Sequence, residues 1–153
     1  MQICQEPLVI PGEIFDRREI PSDAALVTPL IVRVIERLSE KGYIKESDRM
    51  KTQLCFDEAV TNAVVHGNRS DFSKLVTVQL FEDEESWGVV IMDEGDGFSL
   101  NQVAEQSSVQ DDGLWNENGR GLPLLALYMD EVVYYDGGST LMMRQYLKSE
   151  EGR

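Results

Sequence analysis

The chain has little histidine, cysteine or basic charge, and it has no long apolar run. Among 153 residues there is one histidine, His66, and there are two cysteines, Cys4 and Cys55. The cysteines form no metal-ligand pattern. Free thiols and the lack of a signal-peptide pattern point to a reducing cytoplasm. No apolar stretch approaches the length needed to cross a bilayer, so no membrane span is expected. Internal repeats and low-complexity tracts are also missing. Lysine and arginine total 14 against 28 aspartate and glutamate, a formal net charge of -14 at pH 7. The imbalance is concentrated: residues 1–74 carry 10 basic and 12 acidic groups, and residues 75–153 carry 4 and 16. Such a surface repels phosphate backbones, which argues against direct nucleic-acid binding. It serves either as plain solvated surface or as a match for a basic face on a protein partner. The apolar fraction of 42% suits a globular fold, and the length suits one domain with a single sizeable core.

What is present is most informative at residues 57–68, Asp-Glu-Ala-Val-Thr-Asn-Ala-Val-Val-His-Gly-Asn. The stretch is apolar enough for a buried helix, yet it carries Glu58 and Asn62 four residues apart. On a helix these project one turn apart, about 40° from each other around the axis. Leu54 and Val65 flank the pair on one side, and Ala59 and Ala63 on the other. A carboxylate between apolar neighbours costs stability unless something compensates it. Together the two side chains offer oxygen ligands to a hard cation, and the carboxylate can polarise a hydroxyl or a water. The plain alternative is a helix at the solvent edge whose glutamate is merely hydrated. Asp57 points towards the exposed side and reads as a solvated charge.

Two glycine-bearing segments follow. Residues 89–98, Val-Val-Ile-Met-Asp-Glu-Gly-Asp-Gly-Phe, read as a buried strand ending at Asp93, with Gly95 and Gly97 just beyond. Asp93 is a directional acceptor suited to an exocyclic amine such as that of adenine. The glycines allow a tight turn and close approach to a flat ligand. An ordinary strand-ending turn is the alternative. The acidic spacing does not match a calcium-binding EF-hand loop. Residues 118–129, Asn-Gly-Arg-Gly-Leu-Pro-Leu-Leu-Ala-Leu-Tyr-Met, place Gly119, Arg120 and Gly121 before an apolar helical run. Free N–H groups at a helix start attract phosphate, and Arg120 can add a charge-assisted contact. The alternative is a glycine-rich loop capping a core helix. The segment matches neither a Walker P-loop nor the dinucleotide-binding glycine pattern.

Glu58-x-x-x-Asn62, Asp93-x-Gly95-x-Gly97-Phe98 and Gly119-Arg120-Gly121-Leu122, in this order, resemble the N, G1 and G2 boxes of the GHKL ATPase superfamily. Within it, Glu-Ala-Val-Thr-Asn-Ala-Val-Val-His-Gly resembles the bacterial anti-sigma-factor serine/threonine protein kinases. The resemblance covers about residues 13–148 and implies a single ATP-binding kinase-like domain of the Bergerat-type fold. Residues 149–153 are then a C-terminal tail, and residues 1–12, with Pro7 and Pro11, read as a flexible N-terminal arm. By resemblance the cofactors are ATP and Mg²⁺. Glu58 is then the general base, Asn62 holds the Mg²⁺, and Asp93 accepts the adenine amine beside Gly95 and Gly97. Thr140, or Ser139, hydrogen-bonds near adenine. Gly119, Arg120, Gly121 and Leu122 cradle the phosphates. His66 reads as a helix end more readily than as a phosphate contact. The implied partners are an anti-sigma-factor antagonist, which is phosphorylated, and a sigma factor, which is bound; a homodimer is compatible with the family. The alternative function is a non-catalytic ATP-gated interaction module of the same fold, against which Glu58 argues. A detached histidine-kinase ATPase module is disfavoured, because the single histidine lies inside the nucleotide site.

The pattern predicts an α+β two-layer sandwich, with a mixed, mainly antiparallel sheet and helices on one face. Strands are expected near 13–20, 74–82, 87–93, 131–136 and 139–147. One helix is expected over 23–41, with Leu26, Leu30, Val34 and Leu38 on its buried stripe and Gly42 ending it. A second is expected from an N-cap at Ser47 to His66, with Gly67 and Asn68 as stop signals, and a third over 121–129. The polar stretch 99–118 lacks periodicity and reads as a lid or binding loop.

Overall fold

The computed structural model of the protein describes residues 2–95 and 128–147. Their strands are β1 (Gln2–Ile3), β2 (Glu13–Pro21), β3 (Leu75–Glu82), β4 (Ser86–Met92), β5 (Glu131–Tyr135) and β6 (Thr140–Tyr146). They form one sheet in the order β1-β5-β6-β4-β3-β2. All neighbours are antiparallel except β1, which runs parallel to β5. Two helices, α1 (Val27–Glu40) and α2 (Arg49–Asn62), complete the described elements used below. This is the α+β arrangement that the resemblance implies, and five of the strands fall where the sequence puts them.

Helix α1 follows from its spacing. Val27, Leu30, Ile31, Val34, Ile35 and Leu38 recur at helical intervals and are all buried. Asp23 accepts a hydrogen bond from the Ala25 amide at 3.0 Å and starts a short 3₁₀ turn, Ala24–Leu26, ahead of the helix. Leu26 therefore leaves the buried stripe on which the sequence pattern puts it, and is 37% exposed. At the other end Gly42, with φ of 80°, donates to Ser39 O at 2.9 Å, and Tyr43 donates to Leu38 O at 3.0 Å. Those paired bonds satisfy the last carbonyls and stop the helix at a glycine. Helix α2 begins differently from the expectation. Ser47 is not its cap; it lies inside a 3₁₀ turn, Glu46–Asp48, and Thr52 Oγ1 donates back to Asp48 O at 2.8 Å.

The main core lies between the helices and the sheet. Alternate residues Val76, Val78 and Leu80 of β3, and Trp87, Val89 and Ile91 of β4, face the helices. Central β4 is buried on both faces, which is why it reads as a near-continuous apolar run rather than an alternating one.

The rear face of the sheet carries a smaller cluster, Phe81, Val90, Val133 and Met142, from four different strands. Its cover comes from the segment that reads as an arm. β1 and β2 lie on opposite edges, five interstrand steps apart, or about 24 Å. The chain from Ile3 to Glu13 can reach at most about 36 Å, enough for residues 4–12 to cross the sheet with about a third of that length to spare. Cys4, Leu8 and Ile10 pack against the rear cluster, and the Cys4 amide donates to Tyr134 O at 2.8 Å.

Candidate nucleotide site

Helix α2 buries Cys55, Phe56, Ala59 and Val60 in the core. That rotation leaves Glu58 and Asn62 on its flank, only partly covered. Glu58 Oε2 is nonetheless shut away from solvent and has no hydrogen-bond partner among the described residues. Burial raises its carboxyl above the ordinary value, and the neighbouring Asp57 charge adds to this. Asn62 Oδ1, one turn on, is a second buried oxygen. Asp57 is not the freely solvated charge expected from the helical wheel. Its Oδ1 is also buried with no partner among the described residues, and burial raises its carboxyl.

Past Asn62 the helix widens into a π-turn, Ala63–Gly67, in which the Asn68 amide donates to Ala63 O at 2.8 Å. Such widened turns concentrate at functional sites, because they displace the backbone locally. Here the displacement carries Gly67 against Asp93. A Cβ on Gly67 would stand 2.2 Å from Asp93 Oδ2, so no other residue fits without moving the carboxylate. A Cβ on Gly95 would likewise stand 2.0 Å from Gly67 O. His66 sits exposed in the same turn.

Asp93 follows directly on β4. Its amide donates to Ser139 O at 2.9 Å, and its Oδ1 accepts from the Gly95 amide at 2.8 Å. Burial pushes its carboxyl up to about 6, against the Gly95 hydrogen bond, which lowers it. Thr140 is buried beside this point: it pairs with Met92 across the β4–β6 ladder, and its Oγ1 donates to Asp136 Oδ2 at 3.2 Å. The structure thus brings together Asp93, Gly95 and the Ser139–Thr140 segment, and joins them to the end of α2 through Gly67. Gly97, Gly119, Arg120, Gly121 and Leu122, and the stretch 99–118, lie outside the described residues. Of the third expected helix, Tyr128 and Met129 are described, and Met129 is buried.

The sequence reading missed Asn68, which it took for a stop signal. Asn68 is fully buried. Its Nδ2 donates to Ser22 Oγ at 2.8 Å and to Leu75 O at 3.0 Å, and its Oδ1 accepts from the Glu94 amide at 2.7 Å. A polar residue between a helix end and a strand was the available signal, but its partners are distant in sequence and cannot be read from spacing.

Comparison with known proteins agrees with this geometry. The family profile of the histidine kinase-like ATPase domain matches residues 20–145. A serine-protein kinase RsbW from Staphylococcus aureus strain JH9 is 29% identical over 147 residues, covering 92% of each chain. That of strain MSSA476 is 30% identical with the same coverage. The chain belongs to the histidine kinase-like ATPase domain family of the GHKL superfamily, on the branch of the anti-sigma-factor serine/threonine protein kinases.

Proposed function

We propose that the protein is an ATP-dependent serine/threonine protein kinase that phosphorylates an anti-sigma-factor antagonist and also binds a sigma factor. The observation that carries this reading is Glu58, whose Oε2 is shut away from solvent with no hydrogen-bond partner among the described residues, one helical turn from Asn62 in an ATPase domain. A carboxylate left unsatisfied costs stability and is kept where it has chemistry to do. Its raised proton affinity makes it a stronger base than a solvated carboxylate. Glu58 takes the proton of the attacking hydroxyl as the γ-phosphoryl group moves to that oxygen and ADP leaves. The donor chemistry of Asn62 Oδ1 fits Mg²⁺, a hard cation that prefers oxygen ligands and keeps several waters and phosphate oxygens. Held there, Mg²⁺ would supply positive charge to offset that of the phosphates. Asp93 accepts the adenine amine, with Thr140 beside it on the neighbouring strand. Gly97, Gly119, Arg120, Gly121 and Leu122 are assigned to adenine approach and phosphate binding from their motifs alone. The protein works in the cytoplasm in this reading. No helix among the described residues is long and apolar enough to cross a membrane.

The test is incubation with labelled ATP and Mg²⁺ and a candidate antagonist domain, scored for phosphoserine or phosphothreonine. Transfer to the antagonist is the expected result. ATP-dependent partner binding with no transfer to any antagonist would replace this reading with a non-catalytic, ATP-gated interaction module.

A further inference from the structure

We infer that Asn68 is the positioning residue that sets adenine recognition, by fastening the peptide after Asp93 to the end of the helix that carries Glu58 and Asn62. This inference rests on the role given above to Asp93.

The geometry is a clamp with two sides. On one side, Asn68 Oδ1 accepts the Glu94 amide at 2.7 Å, so the residue that follows Asp93 cannot shift without breaking a part-buried bond to a fully buried side chain. On the other side, Nδ2 is held by Ser22 Oγ at 2.8 Å and Leu75 O at 3.0 Å, and Ser22 Oγ itself donates to Lys74 O at 2.7 Å. Both amide protons and the carbonyl oxygen of Asn68 are therefore engaged inside the protein. The backbone of Asn68 belongs to the widened turn, through its bond to Ala63 O. One residue earlier, Gly67 lies against the Asp93 carboxylate itself.

Asp93 is thus oriented from three directions: by its own strand, by the Gly95 amide, and by the Gly67–Asn68 corner. Of these, only the corner belongs to the metal-holding helix. Neither Ser22 nor Asn68 touches the Asp93 carboxylate. Asn68 acts through the Glu94 peptide, and Ser22 supports Asn68 from the far side. A hydrogen bond lost at such a point costs most where direction matters. That is the contact to an exocyclic amine, not the phosphates, which bind elsewhere in the site.

The experiment measures binding of ATP and of inosine triphosphate, which lacks that amine, to wild type, Asn68→Ala and Ser22→Ala. Wild type prefers ATP. In Asn68→Ala the ATP-over-inosine preference falls roughly tenfold or more, while inosine triphosphate binding changes little. Ser22→Ala lowers the melting temperature but keeps the preference, because the Glu94 bond survives. If Asn68→Ala weakens both nucleotides equally and leaves the ratio intact, Asn68 is only a structural residue and the inference is overturned. If wild type shows no preference, the role of Asp93 fails first and the inference falls with it. Should Asn68→Ala not fold, amide exchange in wild type decides. The Glu94 amide is expected to be protected without nucleotide as strongly as the Asn68 amide. Free exchange at Glu94 in a protein that still prefers ATP overturns the inference.

Discussion

The two ends of the β3–β4 hairpin treat their carboxylates in opposite ways. At the turn, Glu82 accepts from Tyr43 Oη and from Lys41 Nζ, the latter at 3.0 Å. Asp83 accepts from the Glu85 and Ser86 amides at 2.8 and 2.7 Å, and from Arg144 at 2.9 Å. The Tyr43 hydrogen bond is the main cause that holds Glu82 below the usual carboxylate range, and the Glu85 amide does the same for Asp83. At the open end, and on the helix beside it, burial raises Asp93, Glu58 and Asp57 instead. One end spends its acids on holding the fold. At the other, Glu58 Oε2 and Asp57 Oδ1 have no partner among the described residues, and raised carboxyls of this kind cluster at functional sites.

The sharpest way to break this contrast is at Glu58. Glu58→Ala is expected to lower phosphoryl transfer roughly 10²–10⁴-fold, the usual range for loss of general-base help. ATP affinity should stay near wild type, because a base acts mainly in the transition state. Melting temperature should hold or rise, since a carboxylate whose Oε2 is buried with no partner among the described residues is removed. Single-turnover transfer together with thermal denaturation reads all three. Transfer at the wild-type rate removes Glu58 from the chemistry.

Asn62→Ala should weaken Mg²⁺-dependent ATP binding and transfer together, each by about tenfold or more, because the metal is held in both ground and transition states. Calorimetry with and without Mg²⁺ measures this. Equal loss in both conditions would sink the metal-holding role.

Asp93 gives a pH signature. The adenine amine needs an ionised acceptor, and the carboxyl sits at about 6. ATP affinity is therefore expected to fall up to about tenfold per pH unit below that value, beyond what Asp93→Asn shows over the same range. The sign for stability is the reverse. The folded carboxyl lies above its unfolded value of 3.8, so the folded state binds the proton more tightly. Protonation between about 6 and 3.8 stabilises the fold, and rising pH through that window weakens it. Glu82 and Asp83 work the other way: their contribution is present above the unfolded values and is lost as acid protonates them. Denaturant midpoints of wild type and Asp93→Asn from pH 4 to 7 separate the two ends. Parallel curves would refute the shift at Asp93.

The smallest effect belongs to the satisfied end. Arg144 donates to Ser86 Oγ at 2.8 Å and to Asp83 at 2.9 Å, with its side chain 16% exposed. Arg144→Ala should cost about 1–3 kcal/mol by denaturant unfolding and leave nucleotide binding alone. A change in ATP affinity there would mean that the two ends are coupled.

These differences mark how far the sequence could be read. Strands and helices follow from local periodicity, and so α1, β3, β4 and β6 lie close to their expected bounds. The placement of Glu58 and Asn62 on α2 and of Asp93 just past β4 was legible because motif spacing is local too. Asn68 was not, because its meaning depends on Ser22, Leu75 and Glu94, which meet it only in the folded chain. Asp57 misled because a helical wheel gives a direction and not the neighbours that wait there. The rear crossing of residues 4–12 escaped for the same reason: its apolar residues have no period, only a sheet to lie on.

That crossing has a bearing on synthesis. Residues 2–3 pair with Val133 and Tyr134, on a strand made some 130 residues later. While the chain is being translated, Cys4, Leu8 and Ile10 have only Phe81 and Val90 of the rear cluster to cover until β5 and β6 supply Val133 and Met142, so the rear surface cannot be completed before those strands are made. A pairing that spans nearly the whole sequence also slows the search for the native state. Until that strap is laid down, a growing or partly unfolded chain presents Phe81, Val90, Val133 and Met142 to its surroundings, and that is the surface through which a nascent copy would aggregate or engage a chaperone.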